Sequence, residues 1–273
     1  MTERTRLAVL GSPITHSLSP AIHRAAYGVL GLDWNYDAIE QTEASLDGFL
    51  DSRDRSWRGL SLTMPLKRAV LPRLTSRDEL VDVVGAANTV LFTDDGLHGA
   101  NTDVHGIVAA FAEAGVAHVD RAAILGSGAT AASMLAALTR MGATDVTVHA
   151  RTPARAEPLV ALGDGLNVRV RVVDLAEPVR DVDVLASTLP GDAGAALDLP
   201  TALRRSVPLF DVTYAPWPTT LAERWYDDGG TVVPGIAMLL HQAVGQLRVF
   251  LHGNSDASLA DEPAVLAAMR AVV

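Results

Sequence analysis

The sequence of 273 residues lacks cysteine and contains a single lysine, Lys67, against 21 arginines. Without cysteine the chain can form no disulfide, no thiolate nucleophile and no cysteine-ligated metal site, and this composition fits a reducing compartment. Its eight histidines show no metal-ligand spacing such as His-Glu-x-x-His, so we predict no metal. The net charge of −10 disfavours a nucleic-acid partner, because an excess of carboxylates repels a phosphate backbone.

Long hydrophobic runs are also missing. The first ten residues hold only a four-residue apolar run, which is too short for a signal peptide. The longest apolar stretch, residues 235–251, is interrupted by His241, Gln242 and Arg248, as in a helix with a polar edge and unlike a membrane span. We therefore expect a cytoplasmic protein with no membrane partner, present as a monomer or homodimer.

The lone lysine is informative because arginine has replaced lysine everywhere else. Guanidinium stays charged at any ordinary pH, so a site that needs a compact amine able to lose a proton cannot accept arginine. Lys67 follows a strand-like run at residues 59–62 and a turn that contains proline. Chemistry in sheet proteins is often presented at such strand ends. A surface lysine without a function is the alternative that composition leaves open.

Short apolar runs alternate with helical patterns along the chain, which is typical of an α/β fold with mostly parallel strands. The predicted strands are 7–10, 34–39, 59–62, 88–92, 97–100, 122–125, 145–149, 168–173, 182–186, 207–211 and 231–233. Residues 93–96 predict a hairpin turn. Helices are predicted from Ser19, over 104–114 and over 129–141, with a linker at 115–120. Residues 192–203 predict a mobile loop and a short helix.

The helix after Ser19 begins with a serine and a proline, which predict an N-cap and a first-turn proline. One face of this helix carries the apolar residues Ile22, Ala25, Ala26 and Val29. His16 and His23 are interpreted as loop and helix packing residues and not as metal ligands.

A glycine loop separates the strand at 122–125 from the helix at 129–141. The loop reads Gly126-Ser127-Gly128-Ala129-Thr130-Ala131. The first glycine permits a tight turn, the second lets the backbone approach a pyrophosphate, and the small sixth residue lets the helix close on the strand. With a strand before it and a helix and strand after it, the loop predicts dinucleotide binding more strongly than a merely structural turn.

The end of the next strand indicates which dinucleotide is bound. An NAD site usually offers a carboxylate there, whereas this chain offers Arg151 and Arg155. Guanidinium groups suit a 2′-phosphate, so NADP is preferred to NAD. The nucleotide unit begins near residue 120, so the residues before it are expected to bind the substrate. We predict a substrate domain at 1–103 that is completed by C-terminal helices at 238–273. The NADP-binding domain is predicted at 104–237. A cleft between the two domains is the expected site.

Seven ordered blocks resemble the shikimate dehydrogenase family over residues 11 to about 250. The blocks on the predicted substrate side are 11–20, 61–67, 85–89 and 101–103. Those on the predicted cofactor side are the glycine loop with 151–155, then Asp211-x-x-Tyr214-x-Pro216 and Gly235-x-x-Met238-x-x-x-Gln242. The resemblance implies a two-domain α/β enzyme, with an N-terminal α/β substrate domain and a Rossmann-like NADP-binding domain, that reduces 3-dehydroshikimate to shikimate.

The resemblance also implies roles for individual residues. Lys67 is the expected general acid and base, and Asp103 is its partner and a substrate ligand. Substrate contacts are implied for Ser17, Ser19, Ser61, Thr63, Asn88, Tyr214 and Gln242. Cofactor contacts are implied for the six residues of the glycine loop and for Arg151, Thr152, Arg155, Thr188, Gly235 and Met238. Three alternative roles stay open. Ser17 and Ser19 could cap the helix that follows them. Asn88 could hold the end of a strand by hydrogen bonds, and Gln242 could be a surface residue of its helix.

Two positions depart from the family pattern. Ser61 and Ala150 each stand where the family commonly has asparagine. At Ser61 we expect a substrate hydrogen bond that is weaker or made through water, and Ala150 removes one possible adenosine contact. Three other functions remain open: a quinate/shikimate or aminoshikimate dehydrogenase of wider specificity, a non-catalytic NADP-binding regulatory homologue, and a folate-type dehydrogenase with a similar plan. Retention of Lys67 and Asp103 disfavours the second, and the Ser17/Ser19 block disfavours the third.

Overall fold

The computed structural model of the chain describes residues 5–273, and these residues divide into two compact units. The first unit holds the described residues up to Asp103 together with Leu240–Val273, and the second is Val104–Leu239. Each unit contains one six-stranded sheet with helices, so the predicted α/β class is confirmed. The domain predicted to start at Met1 includes Met1–Arg4, which lie outside the described residues.

Apart from a two-residue strand at Ser76–Arg77, the strands follow the predicted apolar runs closely. Those of the first unit are β1 (Arg6–Gly11), β2 (Asn35–Glu40), β3 (Trp57–Leu62), β4 (Ser76–Arg77), β5 (Thr89–Phe92) and β6 (Leu97–Ala100). Those of the second unit are β7 (Arg121–Leu125), β8 (Asp145–Ala150), β9 (Arg169–Asp174), β10 (Val184–Ser187), β11 (Leu209–Asp211) and β12 (Val232–Pro234).

The helices lie between these strands and after the last one. They are α1 (Ser19–Leu30), α2 (Glu43–Asp51), α3 (Leu66–Ala69), α4 (Glu79–Val84), α5 (Asp103–Glu113), α6 (Ala129–Arg140), α7 (Glu157–Gly165), α8 (Thr201–Ser206), α9 (Thr220–Asp227), α10 (Gly235–His252) and α11 (Glu262–Arg270). Within residues 5–273 none of the helices combines the length and the hydropathy that a bilayer span requires.

The first sheet has the order β2-β1-β3-β5-β6-β4. Strands β1, β2 and β3 are parallel, whereas β5 is antiparallel to both β3 and β6. The predicted hairpin turn joins β5 to β6, and the amide of Thr93 donates to the carbonyl of Gly96 at 2.9 Å. Because parallel strands end at the same edge, the loops after β1 and β3 are neighbours. The amide of Ser12 donates to the carbonyl of Met64 at 3.0 Å across them.

The second sheet is parallel throughout, with the order β12-β11-β10-β7-β8-β9. From β7 the chain proceeds to β8 and β9 on one side, and then returns to β10 on the other side. The strand order therefore reverses at β7. In open parallel sheets this reversal leaves a crevice at the carboxyl ends of the strands, where nucleotides bind.

The start of α1 differs from the prediction. Ser19 is the first residue of the helix and Leu18 occupies the N-cap without a side-chain hydrogen bond, so Ser19 as N-cap is wrong. The Ser17 hydroxyl oxygen accepts the backbone amide of Ser19 at 3.3 Å and supplies the polar partner. The buried face of α1 is also shifted from the prediction, since it includes His23 and Tyr27 while Val29 is 41 % exposed.

Candidate active site

The one lysine of the chain forms a largely buried ion pair. Lys67 lies in the short helix α3 just after β3, and Asp103 begins α5 just after β6. Lys67 Nζ is 2.6 Å from Asp103 Oδ2, and the two side chains are 14 % and 4 % exposed. A contact of this length is a charge-assisted hydrogen bond, which is stronger than a neutral one. The structure therefore brings together the two residues predicted to carry the chemistry.

The other carboxylate oxygen of Asp103 is also held. Asn88 Nδ2 donates to Asp103 Oδ1 at 2.8 Å, and Asn101 Oδ1 accepts the backbone amide of Asp103 at 3.0 Å. Asp103 also occupies the first turn of α5, where the helix dipole favours a negative charge. These contacts fix the carboxylate with one oxygen directed at Lys67, so the orientation of the amine is set by the protein.

Asn88 is the centre of this arrangement. It is 1 % exposed, and its Oδ1 accepts the amide of Thr102 at 2.9 Å and the hydroxyl of Thr89 at 2.8 Å. Its Nδ2 also lies 3.2 Å from Gln242 Oε1. Asn88 thus joins β5, the start of α5 and helix α10. The prediction that Asn88 and Gln242 belong to one site is consistent with this contact, while their contact with a substrate stays a prediction.

Asn101 explains why an asparagine stands two residues before the aspartate. Its side chain is fully buried, and Nδ2 donates to the carbonyl of Ala86 at 2.9 Å. Its backbone amide donates to Asp78 Oδ2 at 3.1 Å, while the other carboxylate oxygen of Asp78 caps α4 by accepting the amide of Val81 at 2.8 Å. Burial raises the pKa of Asp78. The segment that carries Asp103 is therefore anchored to α4 and to the loop before β5.

The predicted serines and threonine lie on the two neighbouring loops. Ser17 is half-buried and Ser19 is buried, both near the start of α1, while Thr63 is half-buried just after β3. Gly11, at the end of β1, leaves room for Thr63, because a Cβ added there would overlap the Thr63 side chain and come within 2.9 Å of the Met64 carbonyl. The segments 11–20 and 61–67 therefore meet at one edge of the first sheet.

A second group of buried polar side chains lies beside Asn88, and we call it the inner polar cluster: His23, Tyr36, Ser61 and Gln246. Ser61 was predicted as a site residue, whereas the sequence analysis did not single out Tyr36 or Gln246 and placed His23 in helix packing. Gln246 follows Gln242 by four residues on α10, so both lie on one side of that helix. That spacing was the available signal for Gln246. For Tyr36 no comparable pattern exists in the sequence.

The glycine loop lies where the strand order reverses. Gly126 has φ +108°, and a Cβ added there would lie 2.6 Å from Thr188 Oγ1. Thr188 in turn donates its hydroxyl to the carbonyl of Leu125 at 2.8 Å. Helix α6 begins after Gly128, which offers no side-chain cap, and a Cβ added to Gly128 would meet nothing within 4 Å. A helix N-terminus with no side-chain cap and open space beside Gly128 suits a pyrophosphate, so the loop fits a dinucleotide.

The two arginines predicted to select the cofactor follow β8. Arg151, Thr152 and Arg155 are exposed, and the amide of Arg155 donates to the carbonyl of Thr152 at 2.9 Å in a tight turn. Within residues 5–273 no carboxylate forms an ion pair with either arginine. Ala150, one of the two departures from the family pattern, is 2 % exposed in β8. An exposed pair of guanidinium groups without acidic partners fits a phosphate.

The remaining predicted residues lie in the last part of the second unit. A Cβ on Gly235 would come within 2.7 Å of the carbonyl of Thr213, so only glycine lets α10 start so close to the loop after β11. Met238 follows on α10 and is 8 % exposed. The loop is shaped by Asp211, whose Oδ2 accepts the Thr219 hydroxyl at 2.6 Å, and it presents Tyr214, whose pKa is raised by burial.

These features define a class of protein. A parallel sheet with a glycine loop at its reversal point binds a dinucleotide. The lysine–carboxylate pair that follows strands β3 and β6 of the first sheet offers a proton donor at a fixed position. Together, the glycine loop and the lysine–carboxylate pair are typical of a nucleotide-dependent dehydrogenase built from two units.

Comparison with known proteins identifies the family. Residues 9–90 match the family model described as the shikimate dehydrogenase substrate binding domain. A shikimate dehydrogenase (NADP(+)) of Rubrobacter xylanophilus is 37 % identical over 267 residues, which cover 93 % of each chain. Another, from Thermus thermophilus, is 34 % identical and covers 95 % of this chain and 97 % of its own. The chain belongs to the shikimate dehydrogenase family, as predicted.

Solved structures agree with this assignment. The crystal structure of Mycobacterium tuberculosis shikimate dehydrogenase is 38 % identical, covers 98 % of this chain and 100 % of its own, and has a TM-score of 0.85. The crystal structure of a Thermus thermophilus shikimate 5-dehydrogenase in complex with NADP(H) and shikimate is 32 % identical with a TM-score of 0.83, over 98 % of this chain and 100 % of its own.

Proposed function

We propose that this chain catalyses the NADP-dependent reduction of 3-dehydroshikimate to shikimate and its reversal. The observation that carries the proposal is the largely buried ion pair of Lys67 and Asp103, formed by the single lysine of the sequence. Relatives named as NADP-dependent shikimate dehydrogenases over nearly the whole chain support the substrate and the cofactor.

Lys67 acts in this proposal as the general acid of ketone reduction. Its ammonium donates a proton from Nζ to the carbonyl oxygen of the substrate as that oxygen gains negative charge, and in alcohol oxidation the neutral amine accepts the proton. Asp103 holds Nζ at 2.6 Å through one oxygen, while Asn88 fixes the other oxygen. NADPH, when bound, supplies the hydride. A compact amine with rotatable protons can turn from Asp103 to the substrate oxygen, which a guanidinium cannot do equally well.

Substrate recognition is assigned to hydroxyl and amide groups. The substrate carboxylate is bound by the hydroxyls of Ser17 and Ser19, which lie together at the start of α1, with Tyr214 as a further predicted donor. The substrate hydroxyls contact Asp103 and the side chains predicted around it, namely Ser61, Thr63, Asn88 and Gln242. Ser61 is 3 % exposed and already bonded to Tyr36 and Gln246, so its direct substrate bond stays a prediction.

Cofactor binding is assigned to the second unit. The amides at the start of α6 hold the pyrophosphate next to Gly126 and Gly128, with Ser127, Ala129, Thr130, Ala131 and Thr188 around it. Arg151 and Arg155, with Thr152 between them, bind the 2′-phosphate. Gly235 and Met238 are assigned to the nicotinamide end. The cytoplasmic location and the monomeric or homodimeric state stay predictions.

Initial rates of oxidation test the function directly. Shikimate and quinate are each paired with NADP⁺ and NAD⁺ at neutral to alkaline pH, and reduced nicotinamide is followed by absorbance. Turnover concentrated in the shikimate–NADP⁺ pair supports the proposal. Comparable rates with quinate would instead indicate the wider-specificity dehydrogenase. Tight NADP⁺ binding without turnover of either acid would indicate the non-catalytic homologue.

A further inference from the structure

Part of one face of the second sheet is covered by a loop instead of a helix. From β9 to β10 the chain crosses β8 and β7 through residues 175–183, which contain no helix, although such crossovers usually do. Val179 of this loop is buried in the same core cluster as Ala123 and Leu185, so the loop is fixed against the sheet. A cavity of about 290 Å³ lies between the loop and the sheet.

The sheet side of the cavity carries polar side chains. Thr147 and His149 of β8 pair with Arg171 and Val173 of β9, and all four line the cavity, because alternate residues of a strand face the same side. Arg171 Nη2 donates to the hydroxyl oxygen of Thr147 at 3.1 Å, which holds the guanidinium beside the neighbouring strand. This wall of the cavity is therefore formed by residues in register on adjacent strands.

The cavity holds more positive than negative charge. Arg180 of the loop adds a second guanidinium to that of Arg171, while Glu177 adds one carboxylate. In the part of the chain that the structure describes, none of these three charged groups forms an ion pair. Because the chain as a whole carries a net charge of −10, an excess of cations in one cavity favours an anionic ligand.

His149 gives the cavity a buried polar group without a partner. The residue is 2 % exposed, and its Nδ1 has no hydrogen-bond partner among the described residues. Burial lowers the pKa of His149, so the imidazole is neutral at neutral pH and has one N–H to donate. Buried polar atoms without a partner are uncommon in native proteins, and a bound ligand is one way to supply the partner.

His149 also connects the cavity to the glycine loop. Its backbone carbonyl accepts the amide of Gly126 at 2.9 Å, and Arg151 follows directly after the same strand. A ligand that bonds to the imidazole therefore acts on the residue that holds the first glycine of the loop.

We propose that this cavity is an effector site that binds a small organic carboxylate and weakens the binding of NADP. None of its lining residues is among those assigned to NADP or to shikimate. Two guanidinium groups suit a carboxylate, while Val173 and Val182 in the lining suit an apolar body. The volume is near the lower limit of about 300 Å³ for small-molecule sites, so it fits an anion of the size of benzoate and not a dinucleotide.

The expected effect on NADP follows from charge. An anion in the cavity neutralises two cations of the second unit, which leaves less positive charge to attract a cofactor that carries phosphates. This effect rests on the proposed function, because it takes the second unit as the NADP-binding unit. The carboxylate site itself does not depend on that assignment.

Isothermal titration calorimetry of the full chain with benzoate tests the site. Saturating shikimate is present, so that the serines predicted to bind the substrate carboxylate are occupied. We expect one benzoate per chain with a Kd of about 1 mM, as for a ligand of this size. Benzamide has the same shape without the charge, and it should bind at least about tenfold more weakly because it forms no charge-assisted hydrogen bond.

Two arginines of β9 provide a variant and its matched control. Arg171→Ala should weaken benzoate binding about tenfold, because it removes one guanidinium from the cavity. Arg169→Ala should leave it unchanged, since Arg169 bonds to Asp145 at 3.3 Å and does not line the cavity. With saturating benzoate the Kd for NADP⁺ should rise about fivefold in the wild type and stay nearly constant in Arg171→Ala.

The outcomes separate the site, its effect and the proposed function. The absence of benzoate binding, benzoate binding that Arg171→Ala does not weaken, or benzamide binding as tight as that of benzoate overturns the site. Benzoate binding that Arg171→Ala weakens, together with an unchanged Kd for NADP⁺, overturns the effector role. If the wild-type protein does not oxidise shikimate, the proposed function fails. The benzoate titration, repeated without shikimate, then still tests the cavity through Arg171→Ala and Arg169→Ala.

Discussion

At the scale of single residues, we propose that the chemistry depends on an amine that guanidinium cannot replace. Lys67 is 2.6 Å from a carboxylate whose other oxygen is occupied by Asn88, so both members of the pair are fixed. We expect Lys67→Ala to lower kcat by about 10²-fold or more, the usual contribution of a general acid. Lys67→Arg should fail similarly, although it keeps the charge, because the guanidinium does not release a proton.

Steady-state kinetics with shikimate and NADP⁺ measures this effect. Arg68→Ala serves as the control, since Arg68 is the exposed neighbour of Lys67 in α3 and forms no ion pair among the described residues. The control should retain wild-type kcat. Undiminished turnover in Lys67→Ala would remove Lys67 from the mechanism.

His23 gives a prediction about stability and pH. Its imidazole is fully buried, and burial lowers its pKa from 6.5 to about 4, opposed in part by the hydrogen bond to Gln246. Between these two values the unfolded chain binds a proton that the folded chain excludes, so the free energy of unfolding falls as the pH falls below about 6.5. From about pH 7 to pH 5 the loss from this group is about 2 kcal/mol.

Urea unfolding at several pH values isolates this contribution. His23→Phe keeps an aromatic ring beside Tyr36 and removes the titrating group, so its free energy of unfolding should depend less on pH over this range. His16→Asn, a change at an exposed loop position, should keep the wild-type dependence. Equal pH dependence in His23→Phe and the wild type would show that His23 does not titrate with unfolding.

At the scale of elements, the loop between β7 and α6 contains two glycines with different requirements. Gly126 has φ +108° and faces Thr188 Oγ1, so Gly126→Ala should lower the melting temperature and weaken NADP⁺ binding. Gly128 has φ −82° and open space around the added carbon. Gly128→Ala should therefore leave the melting temperature nearly unchanged while it weakens NADP⁺ binding, because its methyl group enters the space assigned to the pyrophosphate.

Thermal unfolding and a titration with NADP⁺ separate the two effects. The pair of variants provides its own control, since both replace glycine by alanine within three residues of the same loop. If Gly128→Ala binds NADP⁺ as tightly as the wild type, the pyrophosphate does not lie against this part of the loop.

The elements also show what a sequence can and cannot predict. Apolar runs located the longer strands of both sheets within a few residues, and the glycine motif located the turn between β7 and α6, because periodicity and glycine act locally. Strand β4 has two residues and helix α3 has four, which is too short to show a period. The start of α1 was misplaced because Ser17, and not Ser19, supplies the hydroxyl oxygen that accepts an amide there.

The inner polar cluster could not be predicted from such patterns. Tyr36 and Ser61 are 25 residues apart, and His23 and Gln246 are 223 residues apart, so their contacts exist only after the chain has folded. Each of these residues alone fits a surface, turn or packing position. Lys67 stood out as the only lysine of the sequence, but its pairing with Asp103 was predicted only because the family blocks carried both positions.

At the scale of the whole molecule, the two units are expected to bind different ligands. The chain carries a net charge of −10, so we expect an anionic cofactor to depend on local cations such as Arg151 and Arg155. In hydrogen–deuterium exchange of the full chain, NADP⁺ alone should protect peptides that cover 121–131 and 148–156 in the second unit. Shikimate alone should protect 12–20, 61–67 and 86–103 in the first unit, because a ligand slows the local opening of the segments it contacts.

The two ligands serve as controls for each other in this experiment. A peptide from α8, which contains no predicted contact with either ligand, should exchange at the same rate in all samples. Protection of the first unit by NADP⁺ alone, with none in the second, would contradict the assignment of cofactor binding to Val104–Leu239.

The scarcity of lysine has a practical consequence for studies of this enzyme. Since Lys67 is the only side-chain amine, an amine-reactive reagent can form one adduct per molecule besides that at the terminal amine. The Lys67 side chain is 14 % exposed and its amine is bonded to Asp103, so modification should be slow, and a molecule that occupies the site should slow it further. The mass of the intact chain then reports the fraction of molecules whose site is open, without a radioactive substrate or an introduced label.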